Sequence, residues 1–115
     1  MADKRGYVVV IFHANGVIDK TVQPKKPDYD QMSKAVGGMI ETIPAFTRFA
    51  GLSRGIAYAN EEGLLKGLPY NRNATKAWFD DLTAQGRPFS KDRVHLVGDV
   101  IFIAKEPTGA SNANA

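Results

Sequence analysis

Cysteine is absent from the 115 residues of this chain. That absence excludes disulfides, thiolate zinc sites and cysteine nucleophiles, and it suits a reducing compartment. Histidine is scarce, with only His13 and His95 present. No His-x-x-x-His or Glu-x-x-His pair occurs, so no metal site is expected. Long hydrophobic runs are also lacking. The longest, Tyr7 to Phe12 and Val100 to Ala104, are far too short to cross a bilayer. Met1 to Gly6 is polar, without the apolar stretch of a secretory signal. A cytoplasmic protein with no membrane partner is the expectation. A strong charge of one sign is missing too: 15 Lys and Arg face 12 Asp and Glu, a net charge of +3. The basic residues are scattered, with Lys4-Arg5 and Lys25-Lys26 the densest groups. Nucleic-acid binders concentrate such residues on one face, so nucleic acid is not an expected partner.

What remains is an ordinary globular composition, 43% hydrophobic and 23% charged, which allows one buried core. Gly6 to His13 is rich in β-branched and aromatic residues, a strand signal. Asn15-Gly16 follows as a hairpin signal of type I′, returning through Val17 to Val22. Pro24 and Pro27 end that strand. From Asp28 to Val36, Tyr29, Met32 and Val36 share one helical face, and Gly37-Gly38 closes the helix. Met39 to Ile43 reads as a strand, with Thr47 to Phe49 as an extension after Pro44. Gly55 to Asn60 reads as a fourth strand. Leu64 to Tyr70 is an apolar segment broken by Gly67 and Pro69.

Asn73 is the expected N-cap of a second helix, Ala74 to Gln85. Thr75, Trp78, Phe79 and Leu82 share its inner face, with Asp80 and Asp81 pointing outward. Arg93 to Ala104 reads as the last strand, interrupted at Gly98-Asp99. The order β-β-α-β-β-α-β predicts an α+β fold: a small mixed, largely antiparallel sheet packed by two helices. Residues 1–106 form the single domain and residues 107–115 a disordered tail.

Catalytic signatures are weak. Ser53, His95 and Asp99 supply the residue types of a triad, but no Gly-x-Ser-x-Gly elbow is present. Gly51-Leu52-Ser53-Arg54-Gly55 and Gly63-Leu64-Leu65-Lys66-Gly67 match no phosphate-loop pattern and read as turns. No catalytic residue, cofactor or metal ligand is assigned. The densest polar stretch runs from Asn60 to Thr75. It combines Asn60, Glu61, Lys66, Tyr70, Asn71, Arg72, Asn73 and Thr75 just before a helix N-terminus. Amide donors, cations and an aromatic suit a phosphate-bearing ligand with a planar group, so these residues are the predicted binding site.

Val36-Gly37-Gly38-Met39-Ile40-Glu41, Tyr58 through Pro69, Asn71 with Ala74-Thr75, and Val97-Gly98-Asp99-Val100 together resemble the domain of unknown function 3846 family. The resemblance covers roughly residues 28 to 104. It implies a bacteriophage or plasmid setting, with no activity attached. A small phage protein without a catalytic constellation suggests action by binding. The resulting expectation is a non-enzymatic, homo-oligomeric protein that sequesters a small nucleotide-derived immune signal of the host. Two competitors are an inhibitor of a host protein and a nucleotide hydrolase using Glu41, His95 or Asp99.

The tail has too little apolar surface to offset the entropy of ordering it. Deleting Thr108 to Ala115 is expected to leave the melting temperature unchanged. A clear drop on removal would show that the tail docks.

Overall fold

The computed structural model describes residues 5–89 and 94–107. The expected tail from Thr108 onward and the start of the last predicted strand, Arg93, lie outside them. Within the described residues are five strands and two helices, in the expected order. They are β1 (Tyr7–Phe12), β2 (Ile18–Gln23), α1 (Tyr29–Val36), β3 (Ile40–Thr42), β4 (Ile56–Asn60), α2 (Arg72–Ala84) and β5 (Val100–Lys105). The strands form one sheet in the order β2-β1-β5-β4-β3, and each pair is antiparallel. No helix among the described residues is long and apolar enough to cross a membrane.

β5 lies at the centre, where both faces of the sheet are covered. Its unbroken apolar run is the sequence consequence, since alternation is needed only where one face is wet. Val100 to Ala104 are all buried. On one face Val8, Val10, Phe12, Ala57, Val100 and Phe102 pack under Phe46, Leu52, Ala74 and Leu96. On the other, Val9, Ile101 and Ile103 meet Met32 and Val36 of α1. Asp28 caps α1 by accepting from the Gln31 N–H at 2.9 Å, and Gly37 ends it in the left-handed conformation, φ 80°.

The hairpin forms, but its turn differs from type I′. Phe12 pairs with Ile18, and the His13 N–H donates to the Val17 carbonyl at 2.8 Å. This leaves a three-residue loop, Ala14-Asn15-Gly16, closed by the Gly16 N–H on the His13 carbonyl at 2.9 Å. Only Gly16 takes a positive φ, 99°, as a type I turn with a glycine bulge requires. Asn15 instead accepts the Val17 N–H through its side chain.

α2 starts two residues earlier than predicted. Its cap is Asn71, not Asn73, because the Asn71 Oδ1 accepts the Ala74 N–H at 3.0 Å. Asn73 instead donates to the Gly16 carbonyl at 2.9 Å. Leu82 is buried and Trp78 is half-buried against the core, its Nε1 donating to the Pro44 carbonyl. Phe79 lies half-buried, edge-on to Phe89 at 5.1 Å. Asp80 is exposed as expected, but Asp81 is buried, at 4% exposure. Its Oδ2 accepts from the Thr47 and Arg48 N–H groups at 2.7 and 3.0 Å, and its Oδ1 accepts from Gln85. The same bonds explain why Thr47 to Phe49 adds no strand: the donors a ladder would use are taken by a carboxylate.

The last strand is also shorter than predicted. Gly98 turns the chain at φ 73°, and Val94 to Val97 stay outside the sheet. Leu96 is held by α2 instead, donating to the Thr75 Oγ1 at 2.9 Å and accepting from the Asn71 N–H at 2.8 Å.

Asn71 is 0% exposed, and its Nδ2 donates to the Phe12 and Gly98 carbonyls at 2.7 and 2.8 Å. Asn71→Ala strands two buried acceptors and uncaps α2, an expected loss of about 3–5 kcal/mol. Asn73→Ala should change stability by about 0.5 kcal/mol or less. Chemical denaturation of the two variants decides which asparagine is the cap.

Candidate functional site

The predicted site residues divide into internal and external groups. Asn60, Asn71 and Thr75 are buried. Asn60 Nδ2 donates to the Val36 carbonyl at 3.1 Å, and its Oδ1 accepts from the Glu62 N–H at 2.8 Å. These three side chains hold backbone together. Glu61, Lys66, Tyr70 and Arg72 are exposed, and Asn73 is half-exposed. Lys66 lies 3.7 Å from Glu62, and the Tyr70 ring packs on His95 at 4.8 Å. The segment reaches a cleft of about 240 Å³ through Leu68 and Pro69, opposite Lys34, Gly37 and Asp99.

The motif blocks meet one another at this end of the sheet. A Cβ on Gly38 would lie 2.9 Å from Asn60 Nδ2, and one on Gly98 would lie 2.7 Å from Leu68. Both glycines sit at close approaches of these segments, and Gly98 in addition takes a positive φ of 73° that favours glycine. A family model described as Domain of unknown function (DUF3846) matches residues 9–113. The chain belongs to this family. No curated protein and no solved structure matches it.

At the same end, His13 bridges the hairpin to the turn before β5. Its Nε2 is 2.7 Å from Asp19 Oδ2 and its Nδ1 is 3.1 Å from Asp99 Oδ2. Only the imidazolium donates from both nitrogens. The hydrogen bond to Asp19 raises the His13 pKa above 6.5; partial burial opposes this, and Asp99 adds to it. With both nitrogens engaged, His13 is a clasp rather than a ready base.

A different cleft opens at the opposite end of the sheet, and its residues follow from strand register. Tyr7 pairs with Lys105 and Ile56 with Ile103, so the start of β1, the end of β5 and the approach to β4 lie side by side. Arg5, Arg54 and Lys105 thereby line one cleft of about 440 Å³ with Ser53 and Glu106. Among the described residues Glu106 is the one carboxylate lining it; its Oε1 accepts the Gly6 N–H at 2.7 Å, and its carbonyl accepts from Arg5 at 3.3 Å. Gly55 lets the chain approach β5, since a Cβ would come within 2.4 Å of the Phe102 ring.

Gly51 and Ser53 also line a second, adjoining groove of about 520 Å³. Phe49, Leu52, Ala77 and Ala84 make its apolar lining, with Arg48 and Asp80 alongside. The loop between β3 and β4 that builds both spaces holds three non-glycine residues at positive φ: Ala45 at 59°, Ala50 at 50° and Arg54 at 54°. Such conformations persist only where surrounding bonds impose them. Here Asp81 holds Thr47 and Arg48, Trp78 holds Pro44, and Gln85 holds Ala45.

Sequence reasoning missed Arg5, Ser53, Arg54 and Lys105 as a set. Arg5 and Lys105 are 100 positions apart and meet only through the β1–β5 pairing.

The His13 clasp has a defined pH dependence. A folded pKa above the unfolded value means stabilisation that is full below 6.5 and lost as pH rises through the folded value. The melting difference between the parent and His13→Asn should therefore shrink across that window. A difference that stays constant, or grows with pH, would rule out the charged clasp.

Proposed function

We propose that this chain is a non-catalytic binding protein that captures and sequesters a small, nucleotide-derived anion, as a homo-oligomer. Its setting would be the countering of a host immune signal, as the bacteriophage resemblance implies. The observation that carries the reading is the cleft shared by Arg5, Arg54 and Lys105. Among the described residues three cations and one carboxylate line it, a donor set that suits a phosphate, and Glu106 is turned to the backbone of Gly6. Ser53 adds a hydroxyl that donates or accepts. This reading puts the site at Ser53-Arg54 and the strand ends rather than at Asn60 to Thr75. A binding role, rather than hydrolysis, is supported at Asp99, one of the hydrolase candidates, whose carboxylate is engaged by His13 and by the Ala14 N–H.

A second reading, a protein that docks on and inhibits a host protein, is favoured by one feature. Met39, Leu64 and Leu65 are 58%, 76% and 88% exposed, which is costly in water unless a partner covers them.

The test is incubation with a panel of nucleotide second messengers, followed by heat release and analysis of what was held. Intact ligand in the released fraction is expected. Arg54→Ala should weaken its binding by about tenfold or somewhat more, the loss of one charge-assisted contact. Arg72→Ala should leave binding unchanged. Recovery of a cleaved product would replace the reading with hydrolysis, and no uptake would leave the docking role.

A further inference from the structure

We infer that the apolar groove beside the basic cleft receives the base of a nucleotide whose phosphate sits among Arg5, Arg54 and Lys105. This rests on the reading that the basic cleft takes phosphate, and it adds what the rest of the ligand must be. The two spaces share Gly51 and Ser53 and so adjoin at these residues, where one ligand could reach into both. Gly51, at φ 85°, contributes no side chain at the crossing. Ser53 stands there with a hydroxyl suited to a sugar oxygen.

The groove itself has the wrong chemistry for a second phosphate. Phe49, Leu52, Ala77 and Ala84 offer no charge to an anion, and the lining carries two carboxylates, Asp80 and Asp81, against one cation, Arg48. A flat, largely apolar group is what such walls stabilise. Phe49 supplies an aromatic surface, and stacking on an aromatic is tolerant of base identity. Polar edges of the base would meet Arg48 and Asp80, Asp80 being steadied by Lys76 at 2.7 Å. A volume of about 520 Å³ lies within the range of small-ligand sites. The loop is already held by Asp81 and Gln85, so less ordering accompanies binding. The ligand class is therefore a mononucleotide or a short nucleotide messenger, rather than a polyphosphate or a phosphorylated sugar.

The experiment titrates the full chain with adenosine monophosphate, guanosine monophosphate and inorganic pyrophosphate. The parent, Ala84→Trp and Arg54→Ala are compared, with circular dichroism confirming the fold. Ala84 is exposed, and a tryptophan there fills the groove without entering the core. The parent should bind at least one nucleotide about tenfold more tightly than pyrophosphate. Ala84→Trp should remove that advantage and leave pyrophosphate binding as it was, whereas Arg54→Ala should weaken both. Methyl resonances of Ala77 and Ala84 in the parent give a second readout, shifting with the nucleotide and not with pyrophosphate. Equal binding of nucleotides and pyrophosphate, with still methyl signals and no effect of Ala84→Trp, would overturn the base groove while leaving the phosphate cleft standing. Failure of the parent to bind any of the three probes would overturn both.

Discussion

The side-chain amide of Asn71 connects three parts of the chain that share no sequence proximity. Its donors close the end of β1 at Phe12 and the turn at Gly98, and its acceptor starts α2. Buried polar groups are stabilising when every partner is present and destabilising when one is missing, so this junction has one satisfactory arrangement. The position and start of α2 follow from it. Ten residues along that helix, about 15 Å at its rise per residue, Asp81 reaches the β3–β4 loop. The junction at one end of the helix thereby sets where the carboxylate clamp falls at the other.

That clamp explains how an unfavourable loop survives. Ala45, Ala50 and Arg54 each occupy a conformation that L-residues avoid by roughly 1–2 kcal/mol. No turn of ordinary sequence would adopt all three unaided. The Asp81 carboxylate, taking two backbone donors, and the carbonyl contacts from Trp78 and Gln85 supply the opposing terms. The product is a loop whose shape is fixed before any ligand arrives, with Arg48 and Arg54 on either side of its bend.

The legible part of the fold was whatever depended on local pattern. β-Branched runs announced β1 and β5, the 3.6-residue period announced both helices, and Asn15-Gly16 announced a hairpin. The errors share a cause. Asn71 and Asn73 are equivalent as caps until the Phe12 and Gly98 carbonyls select one. Asp81 next to Asp80 reads as solvent-facing until Thr47 and Arg48 arrive with their N–H groups. In the predicted site, a dense polar stretch divides in the structure into buried and exposed side chains. Asn60 and Asn71 are polar because they serve buried backbone, and only their surroundings distinguish that from ligand binding.

The two ends of the sheet thus differ in their chemistry. At the end where β1 and β4 finish and β5 begins, Asn60, Asn71, the close-packed glycines and the His13 clasp consume their own polar groups. At the opposite end, antiparallel pairing brings together cations from the beginning and end of the chain, with Glu106 among them bonded to the backbone of Gly6. The motif-rich end holds the sheet in register, and that register is what assembles the basic cleft.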